Sequence, residues 1–269
     1  MRRAAVFTFI CLVPALHILA GGLATPEAWS NQLLIPAAIS APGANGTFFR
    51  SDIRITNQRT DAAQAVKLEW LPQNGGPAGA FTTTIELEPG ETLTSEDFVR
   101  DVMRLDDLGA ILVRGVDASG QTDPDARIHA TSRIWTPQPG LGGTSSQTLS
   151  PIPVSSIYGR TVVILGHRRD DQYRTNVGIV NLDGGEHTFL VTASGETPTL
   201  VPEIYRITVP PFALVQFPIN GAQQTQLRLD IQEDVVPGQG HLTLWAAYAS
   251  SVDNISGDGW STVGVDISE

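Results

Sequence analysis

The sequence predicts an all-β protein of two tandem antiparallel β-sandwich domains, residues 31–153 and 154–269, with one short helix in the first. Three observations lead there. FFRSDIRITN (Phe48–Asn57) returns as QYRTNVGIVN (Gln172–Asn181), so that an arginine, a small hydroxyl residue, an acid or amide, alternating aliphatics and a closing asparagine recur in register. Apolar and polar residues alternate over short runs along most of the chain. Gly- and Pro-rich turns separate those runs. A period of two over four to eight residues marks half-buried strands, and many short strands between turn formers mark a sandwich or barrel.

The N-terminus is expected to be a secretory signal, residues 1–30. Met1-Arg2-Arg3 is a basic start, Ala4–Ala20 is mostly apolar, and small residues suit cleavage after Ala24 or after Ser30. Ser30 is the favoured site, since Ala28-Trp29-Ser30 fits the small-x-small rule and a strand-like run begins at Gln32. An uncleaved anchor would be short for a span and lacks a stop-transfer flank. Cys11 is the only cysteine, and Ile10 stands before it where a lipoprotein signal needs a small residue. The mature chain therefore holds no cysteine, which excludes disulfides, thiol catalysis and Cys-ligated metal sites. It must be stabilised by core burial alone, and two domains of ~120 residues suffice for that. The net charge of −11 repels phosphate backbones, so nucleic acid is not an expected partner. Lys67 is the sole lysine, which removes most lysine chemistry.

Within the first domain Val66, Leu68 and Trp70 alternate with Lys67 and Glu69, and Phe81, Thr83, Ile85 and Leu87 share one face. In the second, Phe189, Val191 and Ala193, then Leu227, Leu229 and Ile231, do the same. Thr94 is placed to cap a helix with Glu96 and Asp97 in its first turn and a stripe of Phe98, Val102 and Leu105. Pro218 after Phe217 forbids its counterpart in the second domain. In the repeated strand, Phe49, Ser51, Ile53 and Ile55, like Tyr173, Thr175, Val177 and Ile179, are expected to face inward. Arg50 and Arg174 fall on the other face, near loop carbonyls or as twin ligand clamps. Asp52 and Asn176 are assigned to turn capping, and Asn57 and Asn181 to a left-handed strand end. Ile128–Ile134 aligns with Leu244–Ser250, and Thr136–Pro153, rich in Pro, Gly, Ser and Thr, reads as loop plus linker.

Ala247–Gly259, the two Arg-[Ser/Thr]-[Asp/Asn] strands and the Pro89-Gly90-Glu91-Thr92 turn together resemble a group of uncharacterised secreted bacterial proteins with tandem immunoglobulin-like β-sandwich domains. The resemblance covers nearly the whole mature chain and implies an extracellular or periplasmic interaction module, with no assigned catalytic residues. The Cys…Trp…Cys core of antibody domains is absent. Periplasmic pilus chaperones also carry two such domains, but their basic cleft does not suit this acidic, lysine-poor chain.

The chemistry-bearing candidates are few. Neither a Gly-x-Ser-x-Gly elbow nor a His-Glu-x-x-His pattern occurs, and His129, His167, His187 and His241 are scattered. Calcium is the most defensible ion, on Asp117, Asp123 and Asp125 in one loop and Asp253, Asn254 and Asp258 in another, although ordinary hairpin turns explain both. Trp135, Trp245 and Trp260 are candidates for a sugar-stacking platform, while Trp70 suits the core. The expected function is a non-enzymatic interaction or structural role at the bacterial envelope, with an envelope protein or glycan as partner and no cofactor. A carbohydrate-binding module and a hydrolase with an acid pair between the domains are the alternatives.

Overall fold

The computed structural model describes residues 29–43, 46–76, 81–138, 142–157, 161–195, 201–221, 223–235 and 243–267. Most of the proposed signal, residues 1–28, lies outside them. The chain is all-β and antiparallel. Its first half runs β1 (Gln32–Pro42), β2 (Phe48–Asn57), β3 (Gln64–Pro72), β4 (Thr82–Leu87), β5 (Thr92–Ser95), helix α1 (Phe98–Asp101), β6 (Leu108–Val116), β7 (Ile128–Pro137), β8 (Thr144–Thr148) and β9 (Ile152–Pro153). The second half runs β10 (Thr161–Arg169), β11 (Tyr173–Asn181), β12 (His187–Gly195), β13 (Glu203–Val209), β14 (Ala213–Pro218), β15 (Gln224–Glu233), β16 (Trp245–Asp253), β17 (Gly259–Val263) and β18 (Val265–Asp266).

The duplication extends to every strand. The first half pairs β4-β3-β6-β1, with β9 on β1, and β5-β2-β7-β8, and a short β1–β2 pairing at Ser40–Pro42 joins the two into one sheet. The second pairs β13-β12-β15-β10-β18 and β14-β11-β16-β17 in the same order. In both halves the first strand lies beside the sixth and the seventh beside the second. Each first strand carries a register shift at the same place, between Ile35 and Ala38 in β1 and between Ile164 and His167 in β10. Pro36 sits in one bulge and Gly166, at φ 84°, in the other, which is how a central strand tolerates either residue. Asn57 pairs with Ile128 and Asn181 with Trp245. The counterpart of Ile128 is therefore Trp245, one residue later than the sequence alignment placed it, and a slip of one exchanges the two faces of a strand.

Each half has its own core. Ile35, Ile53, Ile55, Val66, Leu68, Trp70 and Ile111 pack in the first, and Val177, Ile179, Phe189, Val191, Leu229, Ile231 and Trp245 in the second. A third apolar layer joins the halves. Leu34, Ala37, Leu71 and Ala110, on the outer face of β1, β3 and β6, meet Val180, Leu214, Ala246 and Tyr248, on the outer face of β11, β14 and β16. These strands are apolar on both faces, which accounts for the unbroken runs Leu33–Ile35 and Trp245–Ala249.

Several expected roles change. The helix is a single turn whose N-cap is Asp97, without a side-chain bond; Thr94 belongs to β5. It stops because Arg104 takes φ 61° and Leu105 N–H reaches back to Val99 O at 3.0 Å. Phe98 is buried in the first core, and Val102 and Leu105 pack against it. Thr136–Pro153 holds the end of β7 and all of β8 and β9, so it is not linker; its hydroxyl-rich composition belongs to a half-exposed edge strand. Asp52 bonds Arg133 across the sheet at 3.1 Å instead of capping a turn. Ser30 exchanges two main-chain bonds of 2.9 Å with Ile128, so a cut after Ser30 would sever a folded bridge that a cut after Ala24 leaves whole.

Asn57 and Asn181 are not left-handed. Both are fully buried strand residues acting as amide clamps. Asn57 Nδ2 donates to the carbonyls of Ala62, Leu87 and Glu88 at 3.0–3.2 Å. Asn181 Nδ2 donates to those of Gly185, Val209 and Pro210 at 2.7–3.3 Å. Each Oδ1 accepts the N–H two residues on. Truncation leaves buried carbonyls unsatisfied, so Asn57→Ala and Asn181→Ala should each cost roughly 3 kcal/mol in urea unfolding. A loss at only one of the two would show that the clamps are not equivalent.

Candidate functional site

Two equivalent hairpins meet where the halves join. The β7–β8 hairpin of the first half faces the β16–β17 hairpin of the second. Gln138 Nε2 donates to Ser256 O at 2.7 Å, Ser145 Oγ to Gly257 O, and Ser250 Oγ to Gln147 Oε1 at 2.7 Å. Between them lies a cleft of about 240 Å³. Phe49, Ile134, Pro137 and Val252 give it apolar surface; Thr47, Thr136, Gln138, Ser146, Gln147, Arg174 and Asn254 give it hydroxyl, amide and guanidinium groups. Its one lining carboxylate, Asp253, accepts Ile255 N–H at 2.7 Å and Gln172 Nε2 at 3.2 Å, and those bonds hold its pKa below the usual carboxylate range. Among the lining residues there is thus no acid pair of the kind glycoside cleavage needs.

The structure gathers some predicted residues here and sends others elsewhere. Arg174, Asp253 and Asn254 converge at the cleft, where Arg174 Nη1 donates to Asn254 Oδ1 at 2.6 Å. Its counterpart Arg50 does something different. It pairs with Asp97 at 3.5 Å and lies over the rings of Phe48 (4.8 Å) and Trp135 (5.3 Å). Arg174 bonds the Asn254 side chain and Arg50 pairs with the Asp97 carboxylate, where loop carbonyls were expected as partners. Trp135 is half-buried and donates its indole N–H to Glu96 O at 2.9 Å. Trp260, also half-buried, donates to Gly166 O at 3.0 Å and stacks on His167 with ring centroids 6.0 Å apart. Trp245 is core, tilted against Phe189 at 4.8 Å, and presents no platform.

The two acidic loops are hairpin turns. Asp117 Oδ1 accepts from Ser119 N–H and Oγ and from Gln121 N–H, which lowers its pKa. Asp123 accepts Asp125 N–H at 2.9 Å and faces Arg59 at 3.6 Å. Asp258 Oδ1 accepts Gly259 N–H at 3.0 Å. Among the described residues no three His, Asp or Glu side chains converge as a metal site. The carboxylates of Asp117, Asp123, Asp253 and Asp258 accept backbone N–H groups of their own loops and hold those loops in shape.

Sequence reasoning missed the first-half wall of the cleft, because the segment that supplies it looked like linker. It also missed a buried polar cluster. His167 is fully buried, its Nδ1 lies 2.8 Å from Ser251 Oγ, and Ser251 Oγ lies 2.6 Å from Thr175 Oγ1. The register shift in β10 turns His167 inward, where a strict alternation gave no reason to expect it. No protein-family model matches the chain, and no curated protein matches its sequence. Among the described residues no helix is long and apolar enough to cross a membrane.

Burial pushes the His167 pKa from 6.5 down to about 4. Between those values the unfolded chain binds a proton that the folded chain refuses, so stability is complete above pH 6.5 and is lost as pH falls through 4. The loss attributable to this residue is on the order of 3 kcal/mol. It should appear as a fall in the urea midpoint between pH 7.5 and pH 4, attenuated in His167→Asn; an equal fall in that variant would assign the acid sensitivity elsewhere.

Proposed function

We propose that the protein is a secreted, non-enzymatic binding module of the bacterial envelope or cell surface, and that the cleft between its halves is where it binds. The observation that carries this reading is the composition of the cleft. It has apolar surface, a rim of hydroxyl and amide groups with one guanidinium, that of Arg174, and one carboxylate already committed to a turn. Such a surface offers shape and hydrogen bonds to a ligand but no paired acid and base to act on it. The bonds that cross it hold its walls at a fixed separation, which lowers the entropy cost of binding. A carbohydrate ligand is the second reading, favoured by hydroxyl and amide groups beside the Phe49 ring.

Secretion rests on the Arg2-Arg3 and apolar pattern of the N-terminus. N-terminal sequencing of the exported protein should return Thr25 first, the cut that spares the Ser30 bridge. Retention of Met1 would remove the signal-peptide reading.

Binding is tested by pull-down of the purified chain on whole cells, peptidoglycan and insoluble polysaccharides. Retention on one of these at 0.5 M salt, abolished by the cleft-filling Ser146→Trp with an unchanged melting temperature, supports the module. Retention unaffected by that variant would move the site away from the cleft.

A further inference from the structure

Among the described residues that line the cleft there is one cation. Arg174 is exposed at its rim, and the hydrogen bond from Nη1 to Asn254 Oδ1 occupies one N–H of a guanidinium that carries five. The one carboxylate among the described lining residues, Asp253, is turned to Ile255 N–H, Ser256 N–H and Gln172 Nε2. The paired arginine of the first half shows the contrast, since Arg50 is neutralised by Asp97 and covered by Phe48 and Trp135. Of the two arginines that the repeat places in register, only Arg174 faces a cleft. Asn254 fixes one edge of its fork and leaves the rest of the planar donor set for a partner. A planar array of N–H donors matches a carboxylate in two parallel bonds.

The surroundings narrow the body that carries the carboxylate. Phe49, Ile134 and Pro137 give surface for C–H groups, and Thr47, Gln138 and Gln147 surround it with donors and acceptors. Alternating C–H faces and hydroxyl edges belong to a pyranose ring. The charge of the whole chain sets a further limit. At −11 it repels a polyanion at distances where Arg174 alone cannot compensate.

We infer that the cleft binds an oligosaccharide bearing a single carboxylate, with Arg174 as the residue that reads the acid. This rests on the cleft being the binding site. The attraction is local and the repulsion is general, so a polyuronate should bind more weakly than a short chain with one acidic sugar, and the difference should shrink as salt screens the general field.

The test is a printed array of oligosaccharides in which each acidic member, a uronic or sialic acid conjugate, stands beside its methyl ester and its neutral parent. Acid-over-ester preference for at least one pair is expected, with affinity falling about 10- to 100-fold in Arg174→Gln and only partly restored in Arg174→Lys. Arg54→Gln, an exposed arginine away from the cleft, should change nothing. Equal binding of acid and ester, or binding indifferent to Arg174→Gln, would overturn the carboxylate assignment. If that same binding were lost in Ser146→Trp, the cleft would stand as a site for neutral glycans. Binding of an acid that survives Ser146→Trp would overturn the cleft itself. An array with no bound member would overturn the saccharide assignment, while retention on whole cells sensitive to Ser146→Trp would keep the cleft for another ligand.

Discussion

The apolar layer between the halves is the constraint on which the rest of the molecule depends. Leu34, Leu71 and Ala110 press against Val180, Leu214, Ala246 and Tyr248, and every strand contributing them is already committed to a core on its other side. Tyr248 is the largest group in the layer. Its ring fits because its strand neighbour is Gly178; a Cβ there would stand 2.1 Å from the ring. The hydroxyl donates to Gln216 Oε1 at 2.6 Å, which satisfies the one polar atom that the layer buries with it. Burial from both sides fixes how the halves sit, and with them the opposing hairpins that form the cleft.

The same duplication that builds the layer explains why it is not repeated. The positions of Val180, Leu214, Ala246 and Tyr248 correspond in the first half to Thr56, Thr92, His129 and Thr131. Gly178 corresponds to Arg54. Leu71 and Ala110 correspond in the second half to Ser194 and Arg228, the latter paired with Asp230 at 2.6 Å. A β-repeat that stacks through one face presents an equivalent face at each end, and the positions named here are polar: threonine, serine, histidine and arginine. Polar end faces keep such a stack from growing into an open filament.

Much of this was legible in the chain. Val66, Leu68, Trp70, Leu227, Leu229 and Ile231 declare their strands because one face is buried and the other is not. Asn57 and Asn181 announced their equivalence, though not their role: a side chain that bonds three carbonyls from two other segments has no local signature. The helix was read too long because Val102 and Leu105 keep helical spacing from Phe98 after the helix has ended at Asp101. The candidate site was half visible. Arg174 and Asn254 could be named from sequence, but their meeting depends on β11 and β16 lying side by side. The cleft's other wall sits in a stretch of Ser, Thr and Gln that is strand only because β7 pairs with it.

The sequence by itself determined the class of fold, the duplication, the net negative charge and the presence of a single cysteine, Cys11. Each of these follows from residue type and short-range periodicity. The tertiary structure decided which of two equivalent arginines faces a cleft, which tryptophan is core, that His167 is buried, and that the halves share an apolar layer. Those outcomes turn on strand register and on contacts between segments about a hundred residues apart, and a bulge of one residue is enough to reverse them.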